Sequence, residues 1–129
     1  MLFASDRVEL EWHGELNVRL RTVLLYLDWF LKTQHHVDMV LTGLLRTREE
    51  QLALYPGKVN PPTSVHEVGR GADVRTRDWP VGLAKLVETH LNKVFRYSVN
   101  THHETALWHD VGAGEHLHVQ VSAQPEWRG

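Results

Sequence analysis

Apolar residues near the start of the chain recur at the spacing of an amphipathic helix. Between residues 15 and 32 they are Leu16, Leu20, Val23, Leu24, Leu27, Phe30 and Leu31. Residues three or four positions apart lie on one face of a helix, so the pattern predicts a helix packed on a core. A later segment, "WPVGLAKLVETHLNKV", has a proline at its start and the same apolar spacing at Leu83, Leu86, Val87 and Leu91. It predicts a second amphipathic helix.

Shorter segments have the pattern of strands. The apolar run "VDMVLTGLL" predicts a buried strand, and "RTREEQLALY" after it predicts a short helix that ends at Pro56 and Gly57. Further strands are expected at residues 72–75 and in "VFRYSV", "TALWHDV" and "HLHVQVS", with Gly112 and Gly114 between the last two. Helices interrupt these strands without a regular βαβ order. This indicates an α+β fold, with a small antiparallel sheet and flanking helices.

Composition limits the possible functions. A chain of 129 residues predicts a single domain, residues 1–129, and a net charge of -2 gives no reason to expect nucleic acid as a partner. Because cysteine is absent, any metal must be held by histidine, aspartate or glutamate, and the chain has ten histidines. A monomer is expected.

The sequence also bears on membranes and location. No apolar run approaches the roughly 20 residues of a membrane span, so no stable membrane association is expected. Acidic residues interrupt the start of the chain where a signal peptide would need an apolar stretch: Asp6, Glu9, Glu11 and Glu15. The chain is therefore expected to be cytoplasmic as synthesised.

The segment "HLHVQV" places histidines on one face of a predicted strand. Alternate side chains share a face, so His116, His118 and Gln120 point away from the core that receives the apolar residues between them. Two imidazoles on one face suit a metal site, although an isolated His-x-His pair is more typical of a solvated strand face.

The segment "SVHEVGRGAD" adds two further candidate ligands. His66 offers a nitrogen and Asp73 an oxygen, and Gly69 and Gly71 allow a tight turn between them. With His118 they make a set of two histidines and one aspartate, which leaves a coordination position open for water. An open position is typical of catalytic zinc, so Zn²⁺ is the expected cofactor.

The same segment resembles a known family signature. Ser64, His66, Gly69 and Asp73 match the Ser-x-His-x-x-Gly-x-x-x-Asp pattern of zinc D-Ala-D-Ala carboxypeptidases and L-alanyl-D-glutamate endopeptidases, with Gly71 where many members have alanine. These peptidases of bacterial peptidoglycan share a fold with the hedgehog signalling domain. The resemblance extends over residues 41–122 and implies that fold here.

The resemblance also implies roles for residues outside the first motif. "EHLH" resembles the closing motif of the family, which implies His118 as a zinc ligand and Glu115 as the catalytic base. His116 is a second candidate for proton transfer. "LTGLLRTREEQ" resembles the family segment that carries a carbonyl-stabilising arginine, here Arg46. Without the motifs, Glu115 is more typical of a solvated carboxylate in a turn. Arg46 is equally a partner for Glu49 or Glu50 across one helical turn at the surface.

The resemblance implies a zinc peptidase whose substrate is the peptide of peptidoglycan. A short catalytic chain without a signal peptide is similar to a phage or prophage endolysin, which accumulates in the cytoplasm and acts at the cell wall after release. Two alternatives stay open: a non-catalytic zinc-binding domain of the same fold, and a wall-penetrating peptidase of a phage tail. The sequence does not distinguish a carboxypeptidase from an endopeptidase. His109 is expected to line the cleft without binding the metal. Five further histidines are expected at the surface: His35, His36, His90, His102 and His103.

Overall fold

The structure is a computed structural model that describes residues 1–98, 103–110 and 114–123, without the side chain of Asp110. Its helices are α1 (Asp6–His13), α2 (Val18–His35), α3 (Arg48–Ala53) and α4 (Leu83–Val94), with a 3-10 helix at Val65–Val68. Its strands are β1 (Leu2–Phe3), β2 (Val40–Gly43), β3 (Gly71–Arg75), β4 (Ala106–Asp110) and β5 (Glu115–Gln120). The fold is α+β, as the sequence predicts.

The five strands form one mixed sheet in the order β1-β2-β3-β5-β4. The expectation of a purely antiparallel sheet is wrong, because β1 pairs with β2 in parallel, with Leu2 beside Val40. The other neighbouring strands are antiparallel. Strand β1 is parallel because α1 and α2 lie between it and β2, and such a long crossover allows the second strand to run in the same direction.

The helices and the sheet share one hydrophobic core. Helix α2 contributes Leu20, Val23, Leu24, Leu27 and Leu31, and α4 contributes Leu83, Ala84, Val87 and Leu91. In β5, Leu117 and Val119 are buried in this core, whereas His116, His118 and Gln120 between them are only partly buried. The alternation predicted for this strand is therefore confirmed, and it leaves a polar face on the sheet.

Several element boundaries differ from those predicted. Helix α2 begins at Val18 because the Asn17 side chain accepts hydrogen bonds from the backbone N–H groups at the start of the helix. Helix α4 begins after Gly82 rather than at Pro80. The strand predicted in "VFRYSV" is wrong: α4 continues to Val94, and Phe95 then enters the core. Val99 of that segment lies outside the described residues, as do His102 and Gly112.

Helix α1 was not predicted. Its N-terminus is capped by the Ser5 hydroxyl, which accepts a hydrogen bond from Val8 N–H at 3.3 Å, and Val8 and Trp12 are buried. A single helix of eight residues with two core contacts gives a weak periodic pattern, and for this reason it is hard to recognise. Within the described ranges, no helix has both the length and the apolar character needed to cross a bilayer.

Candidate metal centre

Three side chains from separate elements converge on the polar face of the sheet. His66 comes from the 3-10 helix, Asp73 from β3 and His118 from β5. Their possible ligand atoms all lie within 4.8 Å of one another. His66 Nε2 is 3.4 Å from Asp73 Oδ2, and His118 Nδ1 is 3.1 Å from Asp73 Oδ1. These three residues therefore form a group that can hold a metal ion.

The register of the sheet brings two of these ligands together. Asp73 pairs directly with His118 across β3 and β5, so their side chains leave the same face of the sheet side by side. On its other side Asp73 pairs with Gly43 of β2. A Cβ atom at residue 43 would lie only 3.2 Å from Asp73 Oδ2, so glycine leaves room for the carboxylate.

The 3-10 helix positions the third ligand. The Ser64 hydroxyl accepts a hydrogen bond from His66 N–H at 3.1 Å, and Glu67 accepts one from Ser64 N–H, so the two side chains cap the helix reciprocally. Gly69 ends the helix in the left-handed region with φ 69°. Arg46 N–H donates to the His66 carbonyl at 3.1 Å, which fixes the helix beside the end of β2. Ser64 therefore holds the backbone at His66.

Gly71 has a different role from the turn predicted for it. Its φ is not in the left-handed region, and it is the first residue of β3. A Cβ atom here would lie 2.5 Å from Val65 Cγ2 and 3.4 Å from His118 Cε1. Glycine at this position therefore has a local reason: the Val65 side chain occupies the space that the Cβ atom of alanine would need.

Hydrogen bonds determine which nitrogen of each histidine faces Asp73. His66 Nδ1 is 2.9 Å from the Leu44 carbonyl, which can only accept, so Nδ1 carries the proton. His118 Nε2 is 3.2 Å from Gln120 Oε1, while the Gln120 amide nitrogen donates to the Glu104 carbonyl at 2.9 Å. That second bond orients the amide, so His118 Nε2 also carries the proton. His66 Nε2 and His118 Nδ1 are left to bind a metal.

The electrostatics of Asp73 agree with this arrangement. Burial by itself would raise the pKa of the Asp73 carboxyl, but hydrogen bonds with His118 and His66, together with their positive charge when protonated, hold that pKa well below its usual range. Asp73 is thus a carboxylate at neutral pH. A cation held by the three residues would therefore meet one anionic oxygen ligand together with the two imidazole nitrogens.

The metal group lies in an open cleft of about 920 Å³. His116 is on the same strand face as His118, and its Nε2 is 3.6 Å from Asp73 Oδ1. Glu115 also lines the cleft and is exposed. It is the first residue of β5 and has the strand parity of Leu117 and Val119, whereas His116 and His118 have the other parity. His109 lines the cleft with its ring 4.6 Å from that of His116.

Arg46 reaches the same cleft from the segment between β2 and α3. Its Nη1 donates to Gln51 Oε1 at 2.8 Å and to Ser64 Oγ at 3.2 Å. The alternative surface pair with Glu49 or Glu50 does not form, because Glu50 instead binds Arg7 through both guanidinium Nη atoms. Arg46 is held by neutral side chains, so its positive charge is not neutralised by either glutamate.

Some residues of the site were not recognised from sequence. Gln51 is almost fully buried and joins Arg46 to the Pro62 carbonyl, and Gln120 sets the tautomer of His118. The strand alternation places Gln120 on the correct face, but only its hydrogen bonds reveal its role. Outside the site, His90 is not a surface residue: its ring stacks on Phe30 at 4.3 Å and its Nε2 is 2.7 Å from the Tyr26 hydroxyl.

Comparison with known proteins adds no assignment. No protein-family model, curated protein sequence or solved structure matches the chain. What can be said of its chemistry therefore follows from the geometry of the cleft and from the motifs in the sequence.

Proposed function

We propose that this chain is a zinc-dependent peptidase that hydrolyses peptide bonds in the stem peptides or cross-links of bacterial peptidoglycan. The observation that carries the proposal is the convergence of His66 Nε2, His118 Nδ1 and the Asp73 carboxylate in an open cleft. Two neutral imidazoles and a carboxylate suit zinc. Ligand atoms about 2.0–2.1 Å from a tetrahedral zinc are about 3.3 Å apart. This agrees with the 3.4 and 3.1 Å distances to Asp73.

Each step of amide hydrolysis has a candidate group in the cleft. Bound zinc supplies a Lewis acid that polarises a carbonyl and lowers the pKa of water to about 7. The Glu115 carboxylate at the cleft mouth is available to take a proton and return it to the leaving amine, with His116 as the competing group. The Arg46 guanidinium offers fixed donors to the carbonyl oxygen as negative charge develops there.

The choice of peptidoglycan rests on the motif resemblance around Ser64, His66, Gly69 and Asp73. The cleft volume of about 920 Å³ is consistent with a short peptide segment as the substrate. Within this proposal, the chain acts at the cell wall after release from the cytoplasm, in the manner of a phage or prophage endolysin.

The proposal is tested by digesting purified muropeptides with protein loaded with one equivalent of Zn²⁺ and identifying fragments by mass spectrometry. We expect a defined amide to be cut by the wild type and not by His118→Ala. The matched control is His13→Ala, which removes an exposed histidine outside the cleft and should leave the fragment pattern unchanged.

The outcomes separate the alternatives. One bound zinc without any cleavage would favour the non-catalytic zinc-binding domain and contradict a peptidase. Failure to bind zinc would contradict the metal centre itself. The masses of the fragments decide between a carboxypeptidase, which releases a terminal residue, and an endopeptidase, which divides the stem or the cross-link.

A further inference from the structure

Arg75 is a partly buried cation that has no partner within the part of the chain that the structure describes. It lines the cleft, and it has no hydrogen bond or ion pair with any residue in ranges 1–98, 103–110 and 114–123. The other partly buried arginines of these ranges all donate hydrogen bonds: Arg19, Arg21, Arg46 and Arg70. Because a partly desolvated guanidinium gains from a charge-assisted hydrogen bond, an unused one in a cleft indicates a ligand.

The position of Arg75 relates it directly to the metal group. It is two residues after Asp73 on β3, so both side chains leave the same face of the strand, and it pairs across the sheet with His116. Two residues along a strand correspond to about 6.6 Å. An extended peptide covers about 3.3–3.6 Å per residue. A group on the residue adjacent to the reacting amide is therefore within reach of the guanidinium.

Two acidic residues line the cleft among the residues that the structure describes, Asp73 and Glu115, and neither forms an ion pair with Arg75. Asp73 is engaged by His66 and His118, and Glu115 forms no ion pair with Arg75. Arg77, in the turn after β3, also lines the cleft; among the described residues it is paired only with Asp78 at 3.8 Å, and both of those side chains are exposed. This end of the cleft is therefore cationic and complementary to an anion.

We propose that Arg75 determines specificity by binding a free carboxylate on a substrate residue next to the bond that is cut. The inference rests on the proposed function, and it defines the substrate class as peptides with an acidic residue flanking the scissile amide. In a stem peptide, this group is the α-carboxylate of γ-linked glutamate or a carboxylate of a diamino acid. A guanidinium binds a carboxylate through two parallel hydrogen bonds, which its neutral amide cannot reproduce.

The experiment compares two synthetic stem peptides that differ only in whether the carboxylate next to the cut bond is free or amidated. For the wild type we expect kcat/KM to be about 10- to 100-fold higher for the free acid, mainly through KM. In Arg75→Gln the ratio of kcat/KM for the free acid to kcat/KM for the amide should fall to near one. In Arg75→Glu the amide should become the better substrate. Arg75→Lys should restore part of it, since charge returns without the planar fork.

Arg96→Gln is the matched control, because it removes an exposed arginine outside the cleft with the same change in net charge. It should keep the wild-type preference, which separates a local contact from a general charge effect. Where neither peptide is cut, the same comparison is made with dissociation constants for the zinc-loaded protein. Absence of cleavage with a carboxylate preference in binding contradicts the proposed function alone. Equal kcat/KM values for the two peptides, equal dissociation constants, or no binding of either peptide would overturn the role of Arg75.

Discussion

At the scale of single residues, the candidate centre depends on neighbours that hold its ligands in one state. Gln120 accepts a hydrogen bond from His118 Nε2 and is itself oriented by the Glu104 carbonyl. Hydrogen-bond partners of metal-ligating histidines fix the tautomer and the ring orientation, and their loss typically weakens metal binding about 10- to 100-fold. The choice of Nδ1 as the His118 nitrogen that faces Asp73 therefore depends on Gln120, which is not itself a ligand of the metal group.

We expect Gln120→Leu to weaken zinc binding about 10- to 100-fold, measured by competition with a chromogenic chelator at fixed pH. Gln120→Glu retains a hydrogen-bond acceptor for His118, so its loss of zinc affinity should be smaller. Gln34→Leu, an exposed position at the end of α2, is the control. Equal zinc affinity in Gln120→Leu and the wild type would show that the hydrogen bond does not set the ligand atom.

Glu115 and His116 are neighbours with different surroundings, and their variants assign the proton transfer. We expect Glu115→Ala to retain zinc and lose about 100- to 10,000-fold in kcat, with a smaller loss in His116→Ala. Both zinc content and turnover on muropeptides are measured. His116 lies 3.6 Å from Asp73 Oδ1 on the face that carries His118. A larger loss in His116→Ala, with zinc retained in both, would assign the proton transfer to that ring.

Arg46 should act on the transition state more than on binding. Removing a donor to a developing oxyanion typically costs about 3–4 kcal/mol, so Arg46→Ala should lower kcat about 100- to 1,000-fold, and Arg46→Lys should recover part. Arg48→Ala is the control, because Arg48 binds Glu67 and the Pro61 carbonyl and does not line the cleft. Near wild-type kcat in Arg46→Ala would remove Arg46 from the chemistry.

At the scale of elements, an ion pair connects α1 with α3. Both Nη atoms of Arg7 contact the Glu50 carboxylate, at 2.8 and 2.7 Å, and Glu50 also accepts from Thr47 N–H in the capping box of α3. Hydrogen bonds from Arg7 and Thr47 lower the pKa of Glu50 from its ordinary 4.5 to about 2. Because the pKa is lower in the folded state, the pair stabilises the fold above about pH 4.5. That contribution is lost as the pH falls toward 2.

Glu50→Gln should therefore be less stable than the wild type at pH 7, and the difference should shrink between pH 4.5 and 2. Urea unfolding at several pH values measures it. The difference in stability between Glu50→Gln and the wild type should also decrease at 1 M salt, because the Arg7–Glu50 pair is exposed and salt screens it. Glu49→Gln, its exposed neighbour, should show no such pH dependence. A difference that is constant with pH would mean that the variant acts through the helix cap alone.

At the scale of the whole molecule, the metal group connects distant parts of the chain. His66, Asp73 and His118 come from a helix and two strands, and β3 and β5 are adjacent only in the folded sheet. The unfolded chain does not assemble this group, so zinc should bind the folded state preferentially. Binding at a free concentration of 100 times Kd then stabilises the fold by about 2.7 kcal/mol.

We expect zinc to raise the melting temperature of the wild type and a chelator to reverse the increase. Asp73→Asn should lose the increase, since it removes the anionic ligand. Leu27→Ala should lower the free energy of unfolding by about 2–5 kcal/mol because Leu27 is fully buried. It should nevertheless keep the zinc-dependent increase in melting temperature. A zinc-dependent increase in melting temperature that persists in Asp73→Asn would contradict the ligand set.

Features that depend on local pattern can be predicted from the order of residues along the chain. The spacing of apolar residues predicts α2 and α4 because a helix repeats every 3.6 residues, and the alternation in "HLHVQV" predicts which side of β5 faces the core. The motif residues His66, Asp73 and His118 were also identified from sequence, since ligand types and spacing are local properties. Short elements with few core contacts, such as α1 and β1, left too weak a pattern to be recognised.

The contacts between distant residues depend on the folded arrangement of strands and helices. The pairing of Asp73 with His118 depends on the register of β3 against β5, which no local pattern specifies. The space left by Gly43, the close approach of Val65 to Gly71, and the hydrogen bond that selects the tautomer of His118 all arise between side chains brought together by folding. Arg75 differs from the other partly buried arginines only because the fold gives those residues acceptors and gives Arg75 none among the described residues. Contacts of this kind depend on packing in three dimensions, and the order of residues along the chain does not encode them locally.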